Sequence, residues 1–257
     1  MISNESKSRD IEDVVQLLRG LSPLQVDVVH SIIERFSEGL TGQLLRQDFL
    51  NAEAYEFFGI RLSAHHATSA KRLKKENFEH ILEQAFVRSG IPAKPSDSMT
   101  ERGADLKVGD VSLSLKTESA KGLKAAHITI SKLMEAAWIK KIVNREDIPP
   151  FIKTMVVPHF ANYARIFILR SYLDPLVSGH VRYDLHEIPK NILQSIDTLV
   201  ASDFSKLTQT RTTRATVLVG GKAAFKFCLD GSDDKLTINN LDVNLCPLHA
   251  WWSLSSP

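Results

Sequence analysis

Apolar and polar residues alternate on both sides of Gly109-Asp110, which predicts a β-hairpin closed by a two-residue turn. Counting back from the turn pairs Val108 with Val111, Lys107 with Ser112, Leu106 with Leu113 and Asp105 with Ser114. Opposed residues share a face of the sheet and side chains alternate along each strand. Leu106, Val108, Val111, Leu113 and Leu115 therefore form an apolar face, while Asp105, Ser114, Lys116 and Glu118 gather on the other. Upstream, Phe78, Ile81, Leu82, Ala85 and Phe86 recur at helical spacing across residues 76–88. This amphipathic helix carries Glu79 and Glu83 beside its buried stripe.

The same reading extends along the chain. Ser22-Pro23-Leu24-Gln25 starts a helix with a capping box and a proline in its first turn, and Gly39 stops it. Further helices are predicted over 48–58, over 133–143 and from Pro149-Pro150 to about residue 162. Strands are predicted over 127–130, 166–169 and 181–188. An antiparallel set over 214–219, 223–229 and 235–238 is divided by Gly220-Gly221 and Asp230-Gly231-Ser232. The expected architecture is α/β: a mixed β-sheet flanked by helices, with C-terminal antiparallel strands. Residues 1–62 are expected as a helical N-terminal region for docking or dimerisation, and 63–257 as the main body, in one compact domain.

Composition changes this picture little. A chain of 257 residues, 43% hydrophobic, is long enough for a substantial core and is not a disordered polypeptide. Its net charge of +2, from 32 Lys plus Arg against 30 Asp plus Glu, is too small to imply a polyanionic partner. The distribution says more. Lys71, Arg72, Lys74 and Lys75 cluster before the Glu79 helix, and Lys206, Arg211 and Arg214 sit among Ser, Thr and Gln. Both patches suit DNA phosphates and base edges, or equally a solvated helix start and loop. His65 and His66 could contact DNA, but a pair with one ring packed and the other exposed is the favoured reading. No signal-peptide core or 18-residue apolar stretch is present, so a cytoplasmic location is expected. Cys228 and Cys246 are expected as buried reduced thiols, and Cys246 with His249 provides too few ligands for zinc.

Two carboxylates and one ammonium at the end of a strand pair suit a hard divalent cation acting on a phosphodiester. A helix bearing Phe78-Glu79, an aspartate opening a hairpin and Lys116 two places before Glu118 together resemble the PD-(D/E)-x-K nuclease superfamily. The segments Asp48–Phe58, His65-His66, Leu115–Glu118, His127–Lys132, Asn162–Arg170 and Tyr183–Lys190 resemble, in order, the blunt-cutting CCCGGG restriction enzymes over roughly residues 45–255. The resemblance implies a restriction-endonuclease-like core and a type II enzyme that cuts double-stranded DNA at a short palindromic, CCCGGG-like site. It further implies Mg²⁺, 5′-phosphate ends, a homodimer and a cognate DNA methyltransferase as genetic partner. Asp105 matches the family's acidic metal ligand and Lys116 its lysine. Ser114 departs from the pattern, which has a carboxylate two places before the lysine. Glu118 and Glu79 are the two residues placed to supply it, giving Asp105, Glu118 and Glu79 for metal and Lys116 for the attacking water. A repair or recombination nuclease of the superfamily, or a DNA-binding protein with a decayed site, are the alternatives.

Overall fold

Phe167 and Leu169 lie on one side of the strand Arg165–Leu173 and Ile166 and Ile168 on the other, and the two pairs are buried in different cores. A strand buried on both faces is a near-continuous apolar run, and Ile-Phe-Ile-Leu is one. The computed structural model describes residues 10–96, 103–120 and 122–255; the first nine residues, part of the segment read for a signal peptide, lie outside that range.

In chain order the strands are β1 (Thr41–Leu44), β2 (Ala93–Pro95), β3 (Leu106–Val108), β4 (Val111–Glu118), β5 (His127–Glu135), β6 (Arg165–Leu173), β7 (His180–Glu187), β8 (Thr213–Val219), β9 (Lys222–Asp230), β10 (Lys235–Asp242) and β11 (Leu248–Ser255). The large sheet has the order β1-β11-β7-β6-β4-β3-β2, and a second sheet the order β5-β10-β9-β8. β4 and β6 run parallel, while the other paired strands run antiparallel, so the large sheet is mixed as expected.

Four longer helices precede the site: α1 (Ile11–Arg19), α2 (Pro23–Ser37), α3 (Ala52–Thr68) and α4 (Lys75–Arg88). The predicted capping box of α2 is present, with Ser22 N donating to Gln25 Oε1 at 2.9 Å. α3 and α4 cover one face of the large sheet, where Phe58, Leu62, Phe78, Leu82 and Phe86 meet Leu113, Leu115, Phe167 and Leu169. The other face, through Ile166 and Ile168, packs against the second sheet and the helical segments between residues 137 and 162. Residue 62 lies inside α3.

Several elements differ from the sequence reading. β5 continues to Glu135, so residues 133–135 are strand, and only Ala137–Lys141 turns, as a 3₁₀ segment. A short apolar run fits either period, and here pairing with β10 decides it. The helix after Pro149-Pro150 contains a π-helical stretch at Ile152–Val156. β1 and β11 had no sequence signal: β1 is a four-residue edge strand containing glycine, and His-Ala-Trp-Trp does not alternate. No helix among the described residues is long and apolar enough to cross a membrane.

Candidate active site

The β3–β4 hairpin has the predicted register, Leu106 with Leu113, Lys107 with Ser112 and Val108 with Val111, and Gly109 takes a φ of +56° in its turn. Leu113 and Leu115 consequently enter the core beneath α4, and Ser114, Lys116 and Glu118 face the second sheet. Asp105 stands just before β3 and is held by backbone as well as side chain. Its N–H donates to Leu113 O at 2.7 Å; its Oδ2 accepts from Leu115 N at 2.6 Å and from Ser114 Oγ at 3.3 Å. Ser114 thus acts as a donor that orients Asp105.

α4 brings the other charges. Lys75 Nζ, in its first turn, lies 2.7 Å from Asp105 Oδ1 and 2.9 Å from Glu79 Oε1, one turn further along. Glu79 Oε1 is buried and has no hydrogen bond of good geometry. Lys116 Nζ is 3.8 Å from Asp105 Oδ2. Lys75, Asp105 and Lys116 line a cleft of about 650 Å³, closed on the far side by Ile130, Lys132, Trp138 and His159. Gly103 belongs to this wall: a Cβ there would come within 2.5 Å of the His159 ring, and its φ is +104°.

Burial shapes the charges in this cleft. It raises the Glu79 carboxyl above the ordinary glutamate range, against the pull of Lys75. It lowers the Lys116 ammonium below the ordinary lysine range, against the pull of Asp105. Burial also works against the charge on Lys75, but the hydrogen bond to Asp105 and the attraction of both carboxylates outweigh it, and its pKa is raised. His159 is lowered by burial first and by the charge of Lys116 second. An ammonium lodged between two carboxylates shows that this spot attracts a cation. Its donors are the hard oxygens of Asp105 and Glu79, the ligand type that a small divalent ion selects.

Glu118 is placed elsewhere. Its Oε2 accepts from Arg170 Nε at 2.7 Å and its Oε1 from Thr129 N at 2.9 Å, with the residue only 8% exposed. Both carboxylate oxygens are taken, and Glu118 lines a neighbouring groove rather than the cleft. His66 also departs from its expected role. It is 1% exposed, with Nε2 2.8 Å from Tyr183 Oη, so it is a packing residue and not a DNA contact. His65 is half-buried and bonds to the Lys71 carbonyl. Lys71 and Lys74 are exposed, whereas Arg72 donates to the carbonyls of Ser171 and Ser119. Lys206, Arg211 and Arg214 are exposed on a separate loop and strand, with Arg211 Nε bonded to Ile142 O.

A second group of possible ligands, Asp48, Glu187 and His249, also converges. Arg165 already occupies it, with Nη2 2.8 Å from Asp48 Oδ2 and 2.7 Å from Glu187 Oε2. Despite burial, His249 and Arg165 hold the Glu187 carboxyl at about 2. This is an ionic clamp that ties the segment before α3 to the sheet. Sequence reasoning missed it, and missed His159 in the cleft and Arg170 as the partner of Glu118. Arg170 had a signal, a charge ending the buried run Ile-Phe-Ile-Leu; His159, in a helical segment far along the chain, had none.

Asp105 at the hairpin base and Lys116 on β4 thus line one cleft, and Glu79 of α4 is joined to Asp105 through Lys75, the grouping that the sequence resemblance leads one to expect. The family model of type II site-specific deoxyribonucleases typified by SmaI matches residues 14–254, and the chain belongs to that family. It is 28% identical to the type II restriction enzyme SmaI of Serratia marcescens over 256 residues, covering 97% of this chain and 99% of that one. Among solved structures, a restriction endonuclease in complex with substrate DNA matches 52% of this chain and 54% of its own, at 17% identity. Its TM-score of 0.30 is too low to define the fold. The protein is a type II restriction endonuclease, a hydrolase of DNA phosphodiester bonds.

Proposed function

We propose that the enzyme is Mg²⁺-dependent, acts as a homodimer on a short palindromic duplex site of the CCCGGG kind and leaves 5′-phosphate ends. It would act in the cytoplasm beside a methyltransferase that masks the host's own sites. Two-fold DNA sites are most simply read by two-fold proteins. The observation that carries the reading is the pairing of Asp105 and Lys116 on one cleft, with the Lys75 ammonium between the carboxylates of Asp105 and Glu79.

Asp105 and Glu79 would hold the metal. When bound, Mg²⁺ supplies charge to the phosphate oxygens and acidifies a coordinated water. Asp105 is ready for this because Leu115 N, Ser114 Oγ and its own backbone fix its direction. Lys75 Nζ lies between the two carboxylates, at 2.7 Å from Asp105 and 2.9 Å from Glu79, and its ammonium would be placed to meet a DNA phosphate. Lys116, with its pKa lowered by burial, positions the attacking water and exchanges a proton with it at Nζ. Glu118 keeps β4, β5 and β6 together and leaves the ligand set. Lys71, Arg72, Lys74, His65, Lys206, Arg211 and Arg214 are proposed only as contacts to the DNA backbone.

Incubation with a sequenced plasmid tests the reading. Discrete fragments in Mg²⁺, with the same ends at every site, are expected. Nicking or structure-selective cutting would favour a repair nuclease, and binding without cleavage a decayed site.

A further inference from the structure

A second concavity of about 460 Å³ adjoins the catalytic cleft and shares Thr117 and Ser131 with it. Its wall is one face of β5, where His127, Thr129 and Ser131 alternate with the core residues Ile128 and Ile130. Alternate residues on a strand lie about 7 Å apart, close to the rise of two base pairs. A duplex that ran along β5 with its scissile phosphate at Asp105 would set the adjoining base pairs against this face.

The backbone opposite is built irregularly. Ile130 pairs with Ile238 and Ile128 with Leu241, so the single residue Thr129 opposes both Asn239 and Asn240. This is a β-bulge, a device that redirects a side chain out of the ladder and recurs beside active sites. Asn240 has a φ of +54°, exposes its side chain and lines the groove. Asparagine adopts this conformation at less cost than most residues, and its amide offers both donors and an acceptor.

The lining suits base edges better than phosphates. Among the described residues of the lining the charged ones are Lys124 and Glu118, and both oxygens of Glu118 are already bonded. The remaining polar groups are hydroxyls, an imidazole and an amide, the groups that carry sequence information when phosphate contacts only position the duplex. The groove is also rigid at its rim. Arg170 Nη2 donates to Lys124 O at 2.8 Å and His127 O at 2.7 Å, and Nη1 to Ala125 O at 3.1 Å, while Nε holds Glu118.

We propose that this groove reads base edges next to the cut, with Asn240 as its main specificity residue and His127 and Ser131 flanking it. The inference rests on the nuclease reading above and adds where the site is read. Arg170 and Glu118 act here as positioning residues.

The test uses the full-length enzyme, its cleavage site first mapped on a plasmid, and a panel of duplexes each altered at one base pair of that site. Asn240→Gly keeps the positive φ and removes the amide; Asn240→Asp keeps the shape and replaces the donors. Single-turnover cleavage of the unaltered site should fall about 10- to 100-fold in both variants. Discrimination should collapse at one base position and its symmetry mate and persist at the others. Ratios within about threefold of wild type at every position, in both variants and in Ser131→Ala, would overturn the assignment, as would a uniform loss on all duplexes. A wild-type enzyme that cuts no DNA would instead overturn the nuclease reading itself.

Discussion

Arg170 donates from Nε to Glu118 Oε2 over 2.7 Å, and both side chains are buried. The pair joins neighbouring parallel strands, since Glu118 and Arg170 are register partners of β4 and β6. Removing the carboxylate charge leaves a guanidinium that cannot deprotonate inside the protein. Breaking such a pair costs about 3–5 kcal/mol. Glu118→Gln should therefore lower the urea midpoint strongly; an unfolding curve superimposable on wild type would show that the pair contributes no net stability.

Asp105 is bonded through both oxygens and stands at the centre of the charges in the cleft. Asp105→Asn keeps the shape and removes the charge. Cleavage in Mg²⁺ should fall by roughly 10²–10³-fold or more, as when a group that stabilises transition-state charge is lost. DNA binding in Ca²⁺, measured by gel shift, should persist. Near wild-type cleavage would exclude Asp105 from the metal site.

Lys116 lies in the cleft with its pKa lowered by burial. Arginine preserves the charge but is bulkier and keeps its proton at any accessible pH. If Lys116 handles the water, Lys116→Arg loses roughly 10²-fold or more in single-turnover rate with folding and DNA binding intact. Activity within a few-fold of wild type would reduce the lysine to an electrostatic bystander.

His66 gives a pH signature. Burial lowers its pKa from 6.5 to about 4, so between those values the unfolded chain binds a proton that the folded chain refuses. The contribution of neutral His66 is whole above pH 6.5 and is lost as pH falls, reaching on the order of 3 kcal/mol near pH 4. The stability difference between wild type and His66→Gln should shrink as pH drops from 7 to 4. A difference constant across that window would remove His66 from the acid response.

The hairpin was legible because its two periods and its turn agree, and Asp105, Lys116 and the Glu79 helix followed from it. Sequence spacing placed Glu118 on the correct face but could not show that Arg170, 52 residues away in the chain, occupies its carboxylate. Lys75 read as one cation in a basic cluster, because its partner Asp105 is distant in sequence. That one ring of the histidine pair packs was legible, but which of His65 and His66 is buried depends on Tyr183 from another strand. Long-range ion pairs and edge strands such as β1 leave little local pattern, so they are where periodicity is silent.

The central claim is that the metal is held by Asp105 with Glu79, and that Glu118 is structural. Single-turnover cleavage of a duplex carrying the mapped site, at saturating enzyme and across Mg²⁺ concentrations, compares Glu79→Gln with Glu118→Gln at a temperature where both are folded. The account predicts a loss of roughly 10²-fold or more for Glu79→Gln, with a raised Mg²⁺ requirement, and a smaller loss with an unchanged Mg²⁺ requirement for Glu118→Gln. The reverse order, with the Mg²⁺ requirement moving only in Glu118→Gln, would contradict it.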